Sequence, residues 1–457
     1  MNLTKEPIWH LIRKVTIPAS TGSLFMTFYN LVDTYFAGKI SPEALAAIAK
    51  SWPIYFIAMA IAIGIQAGTQ ALISNAIGAK DNSKASMYVA QSIVFSIFIS
   101  ILVTILGLNF SEFLLKIMGS TDESIILTQK YLDVIFYGSI ILLLQLSLNG
   151  TLSAQGDTKT YRNILIFSFF ANILLNPLLI FGYGFIPALG ISGIAIATLI
   201  AQLIGTIYLL YKVLSSELTQ NLKIENFIPN FNLIKDLLMQ SAPIMFTMLM
   251  IMFGIFNIFY FVGQFGELAT AGYGTSVRLE QVLLLPVIGL NTAVISIAGQ
   301  NYGAKNLNRV FETYSKAMIF GFLFMCFAGI FIYFTANFFM SQFTTNKEVI
   351  SAGVNYLKIA ALIGPIYPTF FITSALFQAI KKPLFALYMT ILRLTFIPFL
   401  SLWYVINILG GDFQDIFYTI LITNWVMGIV VLFFLIFYLK KEFNFALRNF
   451  FFYKNVF

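Results

Sequence analysis

The sequence predicts an all-α polytopic membrane protein, with twelve transmembrane helices in two six-helix lobes related by a parallel pseudo-twofold repeat. Three observations lead there. Hydrophobic residues make up 59% of the 457 residues and charged residues only 10%, where soluble domains carry roughly 25% charged residues. The mean hydropathy is +0.86, and the 49 Phe are too many for one soluble core to hide. Apolar runs recur at about the 20-residue length that crosses a hydrocarbon layer roughly 30 Å thick. Finally, the chain is written twice. Pro18 is answered by Pro243, Gly38 by Gly263, Gly64 by Gly289, Tyr131-Leu132 by Tyr356-Leu357, and Gly78-Ala79-Lys80 by Gly303-Ala304-Lys305, each 225 residues later. In a membrane chain, an internal duplication of this size marks two bundles that move against each other.

The spans read in order as 15–38, 53–77, 87–110, 131–153, 161–182 and 190–211 in the first copy. The second copy gives 236–262, 276–300, 313–340, 354–379, 384–409 and 414–439. Between them, Lys212 to Lys235 is the only long polar stretch; it contains Pro229 and alternates apolar with polar positions. The expected organisation is therefore a first lobe at 1–212, a cytoplasmic linker at 213–235 along the membrane surface, a second lobe at 236–440 and a cytoplasmic tail at 441–457. With the N-terminus inside, the cytoplasmic segments hold 19 of the 27 Lys and Arg, and the external loops hold 6. That asymmetry places both termini in the cytoplasm. An even number of helices per copy gives both copies one orientation, so the repeat is parallel rather than inverted. Near Met1 there is no charged stretch, short apolar run and cleavage site in sequence, so the first span is expected to serve as an uncleaved signal.

Composition also excludes functions. The single Cys326 rules out an intramolecular disulfide, and a lone His10 leaves little for histidine chemistry or a metal site. The net charge of +8 is spread over short loops, which argues against nucleic acid. There is no Gly-x-x-x-x-Gly-Lys phosphate loop and no His-Glu-x-x-His. Energy for transport then has to come from an ion gradient, or transport is passive.

Charges inside spans cost about 2.5–3.5 kcal/mol each on insertion scales, so they are where function is sought. Asp33 stands on the outer half of the first span, one turn beyond Tyr29. Thr16, Ser20, Ser23, Thr27, Asn30 and Thr34 form a polar stripe at helical spacing beside it. A helix-end carboxylate reaching the interface is one reading; a protonatable or cation-binding group facing the lobe interior is the other. Asp33 stands five positions before Gly38, where Gly38-Lys39 marks the boundary, which favours the second. Partners at helical spacing are Ser168, Asn172 and Asn176 before Pro177; Thr198, Gln202 and Thr206; Gln145, Asn149 and Ser153; and Gln66, Gln70 and Ser74. Each stripe reads equally well as helix–helix hydrogen bonding. Together they predict a wet interior for the first lobe. No equivalent is expected in the second lobe, where Ile258 stands at the position of Asp33. Arg278 and Glu280, at i and i+2, do not share a helix face, and each is expected to pair with a neighbouring helix or to reach the interface. Arg393 has no acid close to it in sequence; it is a secondary candidate together with Asn30, Gln202, Arg278 and Glu280. Prolines such as Pro18, Pro177, Pro243, Pro286 and Pro398 read either as static kinks or as bending points.

Taken in order, several pieces resemble the multidrug and toxic compound extrusion (MATE) family over about 12–440. They are Ile17-Pro18 leading to Asn30-Leu31-Val32-Asp33, Gly78-Ala79-Lys80, Gln155-Gly156-Asp157-Thr158-Lys159, Asn172-x-x-x-Asn176-Pro177, Gly193-Ile194-Ala195-Ile196-Ala197-Thr198 and Gly299-Gln300-Asn301-Tyr302-Gly303-Ala304. The resemblance implies an antiporter that expels small organic cations or amphipathic drugs against inward H+ or Na+. It implies an inner (plasma) membrane location, no cofactor and no obligate protein partner. It places cation coupling in the first lobe at Asp33, with Tyr29, Asn149, Asn172 and Thr198, and a possible Na+ at Asp33, Asn172 and Thr198. Many relatives carry a second aspartate where this chain has Asn176, which leaves one carboxylate instead of two.

Two rivals are weaker. A lipid-linked oligosaccharide or lipid flippase of the same superfamily would favour a strongly cationic cavity, and only Arg278 and Arg393 lie within spans. A membrane-embedded transferase would need a cluster of His, Asp or Glu at one membrane face, and the sequence offers none.

Overall fold

Polar caps start helices at the loop ends. Ser41 Oγ accepts from Ala44 N at 3.1 Å, Asp81 Oδ1 from Lys84 N at 2.9 Å, Asn306 Oδ1 from Arg309 N at 3.3 Å and Asn346 Oδ1 from Glu348 N at 2.9 Å. Each cap satisfies a donor that the first turn leaves free. The computed structural model describes residues 1–184 and 186–443, so most of the expected tail at 441–457 lies outside the described residues. Among them run fifteen α-helices and no strand: α1 (Ile8–Ile40), α2 (Pro42–Gly78), α3 (Asn82–Ile117), α4 (Asp122–Tyr137), α5 (Ser139–Ala154), α6 (Lys159–Phe181), α7 (Ile191–Leu214), α8 (Phe231–Gly263), α9 (Glu267–Gly303), α10 (Leu307–Phe343), α11 (Lys347–Ile363), α12 (Tyr367–Ala379), α13 (Leu384–Thr390), α14 (Ile397–Trp403) and α15 (Phe413–Phe443). The starts of α2, α3, α4 and α6 recur as those of α9, α10, α11 and α13 at the 225-residue offset.

The repeat extends to single hydrogen bonds. Lys80 N donates to Ile77 O and Asp81 N to Ala76 O; Lys305 N donates to Tyr302 O and Asn306 N to Asn301 O. Lys80 and Lys305 close these turns in the left-handed region, at φ 60° and 58°. Both copies also break their fourth span at one place. α4 and α5 meet at Gly138 with a 49° bend, and α11 passes into α12 through a single 3-10 turn, Gly364–Ile366.

Among the described residues, ten helices are long and apolar enough to cross a membrane when α11–α12 and α13–α14 are each taken as one, and the bent pair α4–α5 makes an eleventh. The twelfth is α1, whose 33 residues reach about 50 Å at 1.5 Å per residue. Its polar stripe lowers its hydropathy without shortening it. Between α13 and α14 the helix widens to a π-helix at Ile391–Phe396. Pro398 cannot donate back to Leu394, and the widened turn frees the Thr395 carbonyl to accept from Asn257 Nδ2 at 3.2 Å.

The chain divides into two compact units, and their limits differ from the expected lobes. One unit is Pro18–Met245 with Met1; the other is Asn2–Ile17 with Phe246–Phe457. The hand-overs fall inside α1 and α8, beside the repeated prolines Pro18 and Pro243. In the first unit, the leading half of α8 lies so close to α2 that a Cβ on Gly64 or Gly68 would meet Ser241 O at 2.8 Å or Ser241 N at 3.0 Å. The small pair four residues apart allows that approach. The 213–235 connection is also fixed to this unit. Gln91 Nε2 donates to Asn226 O at 2.7 Å and to Ile228 O at 2.8 Å, and Gln91 Oε1 accepts from Asn230 N at 2.9 Å. In the second unit, Arg309 Nη2 donates to Glu6 O at 2.6 Å and Asn301 Nδ2 to Leu3 O at 3.0 Å, holding the first residues there.

Candidate functional site

Tyr29, Asp33 and Ala37, spaced by four, form the buried side of the outer half of α1. The polar stripe beside them turns the other way: Thr27, Asn30 and Thr34 are exposed. This removes Asn30 from the candidates for the site. The hydroxyls of Ser23, Thr27 and Thr34 bond back to the carbonyls of Ala19, Ser23 and Asn30 instead.

Asp33 is 6% exposed and inside the first unit. Its Oδ1 accepts from Asn176 Nδ2 at 3.0 Å, and its Oδ2 from Thr198 Oγ1 at 3.0 Å. Asn176 Nδ2 also donates to Asn172 Oδ1. Asn172 and Asn176 are one turn apart on α6 and both wholly buried, so this face exists because the asparagines share a helical stripe. All the partners of Asp33 are neutral. The Tyr29 hydroxyl faces Thr198 and Asn172 without closing a bond to either, and Asn176 Oδ1 is left unsatisfied. A proton or a hard cation brought to Asp33 therefore finds a carboxylate, a hydroxyl and amide oxygens, the donor set that oxygen-loving cations use.

The structure brings Asp33, Tyr29, Asn172, Asn176 and Thr198 together. It does not bring Asn149 in: that side chain is buried on α5 and accepts from Ser153 Oγ at 3.3 Å. The Gln202 carbonyl accepts from Gln145 Nε2 at 3.2 Å and Thr206 Oγ1 at 2.8 Å, while its side chain faces Tyr55. Two residues that the sequence reading missed adjoin the cluster. Tyr55 on α2 and Tyr131 on α4 lie within reach of the Asp33 charge. Tyr131 carried a signal as a repeat anchor; Tyr55 carried none.

In the second unit Arg278 is exposed and Glu280 is buried. The second copy does hold a buried carboxylate, contrary to expectation. Glu280 Oε2 accepts from Tyr356 OH at 2.5 Å and Oε1 from Tyr367 OH at 3.0 Å. Arg393, also buried, donates through Nε to Asn424 Oδ1 at 2.7 Å. These residues are distant in sequence, and only the packing of α9, α11, α12 and α15 around the π-helix unites them. No group of three or more His, Cys, Asp or Glu that could hold a metal occurs among the described residues.

A family model described as MatE matches residues 18–178 and again 243–404, one match for each copy of the repeat. The chain belongs to the MatE family. MatE proteins are membrane transporters and not enzymes, and this chain is a multi-span membrane protein. It is 27% identical over 441 residues to the FAD transporter of Shewanella oneidensis, covering 93% of this chain and 94% of that one. It is 25% identical over 443 residues to the multidrug export protein MepA of Staphylococcus aureus, covering 96% and 95%. Among solved structures, a MOP superfamily transporter from Pyrococcus furiosus superposes with a TM-score of 0.89 at 24% identity over 96% of this chain and 98% of that one. A MATE structure in a straight conformation gives 0.89 at 25% identity over 96% and 98%. The twelve-helix fold is common to them.

Proposed function

We propose that this protein is a secondary antiporter that exports cationic or amphipathic compounds in exchange for H+ or Na+ taken up at Asp33. The observation that carries this reading is a fully enclosed carboxylate whose bonded partners are neutral, beside an unbonded tyrosine hydroxyl and a free amide oxygen. An isolated ionised carboxylate in a low-dielectric interior is costly. An incoming proton or Na+ relieves that cost and competes with Asn176 and Thr198 for the same oxygens. Since Asp33, Asn176 and Thr198 lie on α1, α6 and α7, a change in their bonding alters how three helices hold together. An ion shifts the conformational equilibrium only by its differential affinity for the two states, and this network is where such a difference would arise. The multidrug export relatives support drugs as the substrate class, and the FAD transporter relative calls for a flavin nucleotide arm in any test.

The test is ethidium transport in inverted vesicles under separately imposed proton and sodium gradients, with FAD as a second substrate. Wild type is expected to transport under at least one gradient. Asp33→Asn is expected to fall to background under both, with unchanged membrane abundance and an unfolding temperature no lower than that of wild type. Gradient-driven transport by Asp33→Asn at the wild-type rate would overturn the reading.

A further inference from the structure

Arginine stays protonated in proteins, so the buried Arg393 is a permanent cation in the second unit. Its guanidinium carbon lies 3.7 Å from the centroid of the Phe370 ring and 5.2 Å from that of Tyr367. Asn424 takes the Nε–H. The titratable groups that act on it are Tyr367 on α12 and Glu280 on α9; Tyr273 on α9 and Tyr356 on α11 gather around Glu280. Glu280 is the one anion among them, and the two charges act on each other without a direct ion pair. Tyr367 joins the halves, since its hydroxyl donates to Glu280 while its ring faces Arg393. A carboxylate beside aromatic faces is the chemistry that recognises a planar organic cation.

The repeat supplies an independent observation. At the 225-residue offset Glu280 stands at the position of Tyr55, Tyr356 at that of Tyr131, and Arg393 at that of Ser168. Tyr55 and Tyr131 lie within reach of the Asp33 charge in the first unit, so this cluster uses the equivalent positions of the second.

We propose that Glu280, Tyr367 and Phe370 form a site for a planar guanidinium-type cation, and that Arg393 fills this site from within as a resident cation. The second unit thereby balances its buried carboxylate without importing an ion. If Asp33 is the coupling site, a reading on which only this consequence rests, ion coupling is confined to the first unit.

The test uses the full-length protein in lipid nanodiscs and does not depend on Asp33. Arg393→Ala is expected to lower the unfolding midpoint by about 5 °C or more. Methylguanidinium is expected to restore most of that loss with saturation, since a ligand bound only by the folded state stabilises it. Urea, which is planar but neutral, and Na+ are expected to restore little. The double variant E280Q/R393A is expected to show no rescue. Equal rescue by urea, rescue that survives in E280Q/R393A, or an unshifted midpoint in R393A each overturns the proposal. Should R393A fail to accumulate, E280Q/R393M, which removes both charges, is compared with E280Q in membranes. Higher abundance of the double variant supports the proposal, and equal or lower abundance overturns it.

Discussion

Asp33 in the first unit and Glu280 in the second are both buried carboxylates that accept two side-chain hydrogen bonds. They lie beside repeat-equivalent tyrosines, Tyr131 and Tyr356. Their surroundings differ in one respect. Asp33 sees only neutral groups, whereas Glu280 feels the charge of Arg393. A duplicated scaffold has thus kept two places for a buried acid and balanced the charge at only one of them from its own side chains. The unbalanced acid is the one that an exchanged ion can serve.

The comparison breaks most visibly on stability. Glu280→Gln leaves Arg393 as an uncompensated buried charge, and such losses typically cost about 3–5 kcal/mol. Asp33→Asn removes a charge that has no resident counter-ion, so its unfolding midpoint is expected to equal or exceed that of wild type. Midpoints of the two variants measured side by side check this, and equal destabilisation would erase the distinction between the sites. A smaller effect is expected from packing. Gly68 touches the Ser241 backbone, while its repeat counterpart is Ala293, which already carries a Cβ. Gly68→Ala is expected to cost about 1–3 kcal/mol by overpacking, read as a lower midpoint, with Ala293→Gly falling below it. The smallest change concerns ion choice. Asn176→Asp returns a second carboxylate beside Asp33 and is expected to raise the Na+ affinity of transport on the order of tenfold, about 1.4 kcal/mol. Sodium titration of vesicle efflux measures it, and an unchanged half-saturation would argue that Asn176 does not face the bound ion.

Much of the first site was legible because its residues sit on regular helices. Asn172 and Asn176 are four apart, Thr198 heads a stripe of its own, and Asp33 is a rare charge in an apolar run. Helical period shows which residues share a face but not which way that face turns. Asn30 and Asp33 are three apart, yet one is exposed and the other enclosed. Asn149 likewise lies on a polar stripe, but its side chain bonds along α5 to Ser153 rather than to Asp33. Tyr55 gave no signal because a half-buried tyrosine in an apolar helix is ordinary until its neighbours are known. The unit limits were hidden for a related reason: chain order assigns all of α8 to the second copy, but the glycines of α2 draw its leading half into the first.

The sequence by itself determined the membrane class, the twelve spans, the repeat and the singular place of Asp33. These follow from hydropathy, periodicity and the cost of charge in lipid, all of which are local or additive along the chain. Only the tertiary structure decided that Glu280 and Arg393 come within reach of each other's charge and that Tyr131 and Tyr356 feel the charge of the two acids. It also decided that the units hand over inside α1 and α8. Those outcomes depend on how helices rotate and pack against partners distant in sequence, which a linear pattern does not encode.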